Sequence, residues 1–137
     1  MLANLRISTL SADGLDWFVR YADSVSRADF VTFKSFLAED CLYQVNNLLP
    51  FFGRDMTAMA MEQFRAAVEG MRHEVLSALG TDTAFAVELL HHYQRKDGVP
   101  ITVPAAVFID RDPISGLLTA SRAHVDFTPV FADTLSQ

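Results

Sequence analysis

An α+β fold, with helices from the first half of the chain laid on one face of an antiparallel sheet from the second, follows from three features of the 137-residue sequence. Apolar residues recur at helical spacing as far as about residue 69, and beyond Gly70 the period changes to alternation. The segments GTDT, RKDGVP and RDPISG, each with the Gly, Asp or Pro that a hairpin turn needs, then divide the second half into strands. Helices first and hairpins after is the pattern of helices segregated on one side of a sheet.

The elements follow in order. Leu15, Phe18, Val19, Ala22 and Val25 form one apolar stripe over residues 13–26, and Asp13 with Asp16 supplies the acidic start that a helix N-terminus favours. A short second helix begins after Asp29, a good N-cap residue, and turns Phe30, Phe33, Phe36 and Leu37 inward. Residues 41–46 read as a short strand. A third helix runs from about Asp55 to Glu69, with Met56, Met59, Ala60, Phe64, Ala67 and Val68 on one stripe and Gly70 as its stop. Four strands follow, over about 71–79, 84–95, 100–110 and 117–128. The whole chain, 1–137, reads as one domain.

Composition narrows the function. The net charge of −6 and the lack of any Lys/Arg cluster with interleaved aromatics argue against nucleic acid as a partner. Cys41 is the only cysteine, so neither an intrachain disulfide nor a thiolate metal site is available, and no compact ligand motif points to a metal. No stretch has the length of a membrane span or the layout of a signal peptide, which leads to the expectation of a cytoplasmic protein with no membrane contact. Half the residues are hydrophobic and mean hydropathy is +0.18, so some apolar surface is expected to face a ligand cavity or a second subunit.

The stretch AEDCLYQVNNLLPFFGRD, residues 38–55, sets polar Tyr43, Gln44, Asn46 and Asn47 directly before the apolar run Leu48 to Phe52. Such a mixture suits the wall of a cavity that is apolar with a few placed hydrogen-bonding groups. It also resembles the limonene-1,2-epoxide hydrolase branch of the nuclear transport factor 2-like superfamily. The resemblance rests on Ala38-Glu39-Asp40, Tyr43-Gln44, Asn46, Leu49-Pro50 and Gly53-Arg54-Asp55, and again on Ser121 to Asp126. Asn46 follows Tyr43 by three where the branch has two, with Val45 between. The order of elements is that of the same superfamily, which also holds the SnoaL-like polyketide cyclases. The resemblance implies a cone-shaped α+β barrel, three N-terminal helices closing a curved antiparallel sheet around a pocket.

By this resemblance Tyr43 and Asn46 hold a water, and Asp126 is the general base. Leu90 and His92 stand at the positions of an arginine and of an acid two residues on; His92 can donate a proton, Leu90 cannot bridge carboxylates. Arg122, His124 and Asp126 share one face if they lie on a strand. The expected catalytic set is therefore Asp126 with His92 or His124, and Asp126→Asn is expected to abolish turnover. The expected cavity wall is Tyr43, Asn46, Glu88, Leu90, Phe52 and Trp17. His91 and His92 point to opposite faces, so only one reaches the cavity, and His73 reads as a structural histidine. The function implied is cofactor-independent acid–base catalysis on a small hydrophobic substrate by a cyclase, isomerase or epoxide hydrolase. The alternative is a non-catalytic ligand-binding or dimerisation module. A homodimer is expected, with Phe85, Val87, Leu89 and Tyr93 facing helices or a second subunit.

Overall fold

The computed structural model describes residues 1–132. Its elements are β1 (Ile7–Ser8), α1 (Ala12–Ser26), α2 (Phe30–Ser35), β2 (Leu37–Val45), β3 (Phe51–Phe52), α3 (Arg54–Ala66), β4 (Gly70–Thr81), β5 (Ala84–Gln94), β6 (Pro100–Arg111), β7 (Leu118–Val125) and α4 (Thr128–Phe131). The helices pack on a curved, unclosed seven-stranded sheet of order β1-β4-β5-β6-β7-β2-β3. The α+β class and the three helices agree with the sequence reading. The sheet is mixed rather than antiparallel: β1 runs parallel to β4 and β2 parallel to β7. Two-residue strands such as β1 and β3 are too short to leave a periodic signal.

Local chemistry sets the helix ends. Ser11, not Asp13, caps α1, its Oγ accepting the Gly14 amide at 3.0 Å, and Asp29 caps α2 by accepting from the Thr32 amide at 3.1 Å. The third helix ends at Ala66, so Gly70 opens β4 instead of stopping α3. The inner stripe of α1 buries Trp17, Phe18, Tyr21, Ala22 and Val25, and Phe33 of α2 is wholly buried. Trp17 and Tyr21 stack with centroids 5.4 Å apart, and the Arg111 guanidinium lies 4.1 Å over the Trp17 ring.

The parity of β5 fixes which side chains enter the cone. Phe85, Val87, Leu89, His91 and Tyr93 alternate as buried residues, because placing the aliphatic majority inward sends every second side chain with it. Glu88, Leu90 and His92 therefore point outward. The same rule on β7 turns Ser121, Ala123 and Val125 in, and Arg122 and His124 out. Phe85, Val87, Leu89 and Tyr93 thus pack inside this chain and are not a subunit surface.

Candidate functional site

Between the helices and the concave face of the sheet lies a cavity of about 640 Å³, within the size range of small-molecule sites. Every layer contributes to it: α1 through Phe18 and Tyr21, α3 through Met56, Met59 and Phe64, and the sheet through Tyr43, His73, Leu89, His91, Tyr93 and Val107. Leu48 and Phe51 line it from the stretch before α3, and Phe127 and Phe131 from the far end. No Asp, Glu, Lys or Arg is among the described residues that line it.

The polar groups of β4 and β5 adjoin one another. His73 on β4 pairs with His91 on β5, and their rings meet edge to face with centroids 4.8 Å apart. His91 Nδ1 lies 2.9 Å from the Tyr93 hydroxyl, while its Nε2 is buried without a partner. The pyridine-type nitrogen of an imidazole accepts more readily than a phenol oxygen, so Tyr93 donates to Nδ1 and the proton of His91 resides on Nε2. Ser26 Oγ donates to the Ala22 carbonyl at 3.3 Å and so accepts from His73 Nδ1–H at 2.8 Å, leaving His73 Nε2 as a lone pair. Burial, with the neighbouring imidazole as the second cause in each case, depresses His73 to about 3 and His91 to about 4. Both rings are therefore neutral at pH 7. Burial likewise raises the hydroxyls of Tyr21, Tyr43 and Tyr93 above the ordinary phenol value, which keeps them protonated.

This wall can offer hydrogen bonds to a neutral oxygen function and can shuttle a proton between neutral groups. A buried polar hydrogen without a partner costs about 1–3 kcal/mol, so a ligand acceptor at His91 Nε2 would relieve a cost already present in the empty fold.

The residues expected from sequence are mostly elsewhere. Tyr43 lines the cavity. His92 lies on the outer face, with Nε2 2.8 Å from Glu74 Oε2 and Nδ1 2.7 Å from Thr102 Oγ1. His124 is exposed, with its ring edge against Phe108. Asp126 falls beyond the end of β7, exposed, and its Oδ1 accepts the Thr128 amide at 2.9 Å. The Thr128 side chain first, and its amide second, hold the Asp126 carboxyl below the usual range by hydrogen bonding, the reverse of what a base at neutral pH needs. The expected catalytic trio does not meet in the cavity.

Glu88 pairs with Arg6 outside the sheet, and Leu90 stands between Glu74 and Pro104 on that same outer face. Phe52 is 67% exposed; its neighbour Phe51 enters the lining instead. Trp17 is buried but packs behind the cavity against Tyr21, Phe36 and Phe85. Asn46 has φ of 52°, in the left-handed region that asparagine tolerates, and its side chain brackets the backbone of Val125 through Nδ2 to O at 2.7 Å and N to Oδ1 at 2.9 Å. It extends the pairing of β2 with β7, its amide group engaged with the Val125 backbone. The residues missed were Tyr21, His73, Tyr93 and Ser121, while the choice between His91 and His92, open in the sequence, falls to His91. The signal for His91 and Tyr93 was present: they share parity with Phe85, Val87 and Leu89, the heavier apolar face.

Among solved structures, a candidate SnoaL-like polyketide cyclase from Shewanella denitrificans superposes with a TM-score of 0.78 at 13% identity, over 93% of this chain and 100% of that one. The chain has the nuclear transport factor 2-like fold. A hypothetical protein with a ketosteroid isomerase-like fold from Catenulispora acidiphila, in complex with trimethylamine, matches with a TM-score of 0.75 at 15% identity, over 85% of this chain and 90% of that one. An LEH-like epoxide hydrolase of M. tuberculosis matches with a TM-score of 0.72 at 16% identity over 92% of both chains. No protein-family model matches the sequence, and no curated protein does. At such identities the likeness establishes the fold and leaves the chemistry to the site. Among the described residues no helix is long and apolar enough to cross a membrane, and no three His, Cys, Asp or Glu side chains are grouped to hold a metal ion.

Proposed function

We propose that the cavity binds a small, uncharged and mostly apolar molecule bearing a carbonyl, and that the neutral His73–His91 pair performs cofactor-independent proton transfer on it. The observation that carries this reading is the buried, unpartnered Nε2 of His91 in a cavity wall without charged side chains. A neutral imidazole N–H polarises a carbonyl as an electrophile, and charge developing on that oxygen strengthens the hydrogen bond as the reaction proceeds. His73 Nε2, with its lone pair free, is the nearest acceptor for a proton leaving the adjacent carbon. Enolisation of this kind underlies isomerisation and aldol-type ring closure, and the fold neighbours include a candidate cyclase and a protein with a ketosteroid isomerase-like fold.

The test is exchange of the methyl protons of 2-acetylnaphthalene in D2O, followed by proton NMR. Exchange faster with the wild type than in buffer, and lost in His91→Phe, is expected. Binding of the ketone without accelerated exchange would instead establish a non-catalytic ligand-binding protein. That second reading draws on the absence of any carboxylate among the described lining residues, since most acid–base sites use a stronger base than an imidazole depressed to about 3.

For the assembly, the outer face of β4 to β7 is the proposed surface for a second copy. Its side chains alternate in sign, with Arg72 and Arg122 near Glu74, Glu88 and Asp110, around Leu90 and a Phe108 that is 43% exposed. Such a face suits a twofold contact. Sedimentation at rising concentration is expected to show a dimer in wild type that Phe108→Glu dissociates; a wild-type monomer throughout would overturn it.

A further inference from the structure

A second unsatisfied polar atom lies just behind the cavity wall, away from the histidine pair. Ser121 on β7 is wholly buried, and its Oγ has no hydrogen-bond partner. It stands directly across from Tyr43 in the parallel pairing of β7 with β2. The Tyr21 hydroxyl, from α1, comes to the same place. The Tyr21 and Tyr43 hydroxyls interact with each other and with Ser121 closely enough to shift one another's ionisation, while Ser121 Oγ lacks a partner of normal hydrogen-bond geometry. Tyr21 and Tyr43 both line the cavity. Three hydroxyls brought from a helix and two strands to one buried point, one of them left without a partner, are what a site for a further oxygen atom looks like.

The sheet order separates this point from His91. Between β5, which carries His91, and β2, which carries Tyr43, lie β6 and β7. Three strand spacings are about 14 Å along the sheet, and the distance across the cavity is shorter because the sheet curls and both side chains point inward. The intervening wall is apolar, through Val107 and Ala123.

We infer that Tyr21, Tyr43 and Ser121 form a second oxygen-binding anchor, so that the ligand is an elongated apolar molecule with two oxygen functions, a carbonyl at His91 and a hydroxyl or second carbonyl at this cluster. This rests on the reading of the cavity given above and adds the length, polarity and orientation of its ligand. Two fixed points also select one of the two ways round that an elongated molecule could enter, which places its reacting carbon beside His73. A hydroxyl at the cluster can both donate and accept, and matches three groups with the same dual capacity. A charged carboxylate or phosphate is disfavoured, because no described lining residue offers a compensating cation.

The experiment uses four fluorescent probes: naphthalene, 2-naphthol, 2-acetylnaphthalene and 6-hydroxy-2-acetylnaphthalene, titrated into the wild type, Tyr43→Phe, Ser121→Ala and His91→Phe. The hydroxyketone is expected to bind wild type about tenfold or more tightly than the ketone, as for a buried polar site given its missing partner. Tyr43→Phe and Ser121→Ala are each expected to erase most of that gain while leaving the affinity for 2-acetylnaphthalene within about threefold, which also shows that both variants retain the cavity. The ratio of ketone to naphthalene, and its loss in His91→Phe, reports the histidine end separately. If the ketone gains nothing but the hydroxyl gain is present and sensitive to Tyr43 and Ser121, the anchor stands and the histidine reading falls. If the hydroxyl adds nothing in wild type, or its gain survives in both variants, the second anchor is overturned.

Discussion

Lowering the pH from 7.5 to 5 should weaken the fold well before its carboxylates titrate. In the folded chain His73 and His91 titrate at about 3 and about 4, against 6.5 for a free imidazole. Above pH 6.5 neither the folded nor the unfolded chain binds a proton at these sites, and the full stability is present. Between 6.5 and the folded values the unfolded chain gains protons that the folded chain refuses, so stability falls as pH falls. Each proton imbalance is worth about 1.4 kcal/mol per pH unit, which at pH 5 amounts to about 2 kcal/mol for each imidazole and about 4 kcal/mol for the pair. That is a large share of the roughly 5–15 kcal/mol of a typical domain.

Carboxylates act in another window. Asp29, Asp55, Glu74, Asp82, Asp112 and Asp126 are all held below their ordinary values of 3.8 or 4.5, chiefly by side-chain hydrogen bonds. Their stabilising contribution is present above those ordinary values and is lost only as pH falls below them. Urea unfolding at pH 7.5, 6 and 5 checks the prediction. With a slope of roughly 1–3 kcal/mol per molar urea, the midpoint should fall by about 2 M over this range. His73→Gln and His91→Gln should each remove about half of the decline. A midpoint unchanged between pH 7.5 and 5 would show that these imidazoles are not buried neutral groups, and would refute the electrostatic description of the cavity.

Three further outcomes follow from particular contacts. His92→Ala and Asp126→Asn should leave binding of 2-acetylnaphthalene unchanged, because both side chains lie outside the cavity; fluorescence titration checks this. Gly80→Ala should destabilise by several kcal/mol in thermal or urea unfolding: φ is 131° there, and an added Cβ would meet the Ala84 carbonyl at 2.3 Å and the Phe85 Cα at 2.8 Å. Arg95→Ala should release α4, since the carbonyls of Pro129 within it and of Ala132 just after it accept from that guanidinium, and hydrogen exchange of the Val130 and Phe131 amides should rise by about tenfold or more.

Much of the architecture was legible because the heavy apolar positions repeat. The stripe Leu15 to Val25, the phenylalanines of α2 and the alternation of β5 each bury enough area to overrule local propensity. The parallel pairings of β1 and β2 were not legible, since pairing partners are set by how the sheet closes and not by any window of sequence. The site failed at one physical step. Leu90 and His92 were taken as the cavity side because the family resemblance sets an arginine and an acid at those positions, with Glu88 on the same face, although the aliphatic weight of the strand lay with the opposite parity. A cavity for an apolar ligand is lined by the hydrophobic face, so its polar members are those that share parity with valine and leucine, here His91 and Tyr93. Asn46 misled for another reason: its left-handed backbone and its bracket on Val125 depend on a neighbouring strand distant in sequence.

The most direct test of the proposed site is nitrogen-15 NMR of the four histidines at pH 7, with and without 2-acetylnaphthalene. His91 should be neutral with its proton on Nε2, and this signal should move as the ketone binds, with a smaller change at His73 and none at His92 or His124. A response confined to His92 or His124, or a His91 that is protonated on both nitrogens at pH 7, would contradict the placement of the site in the cavity.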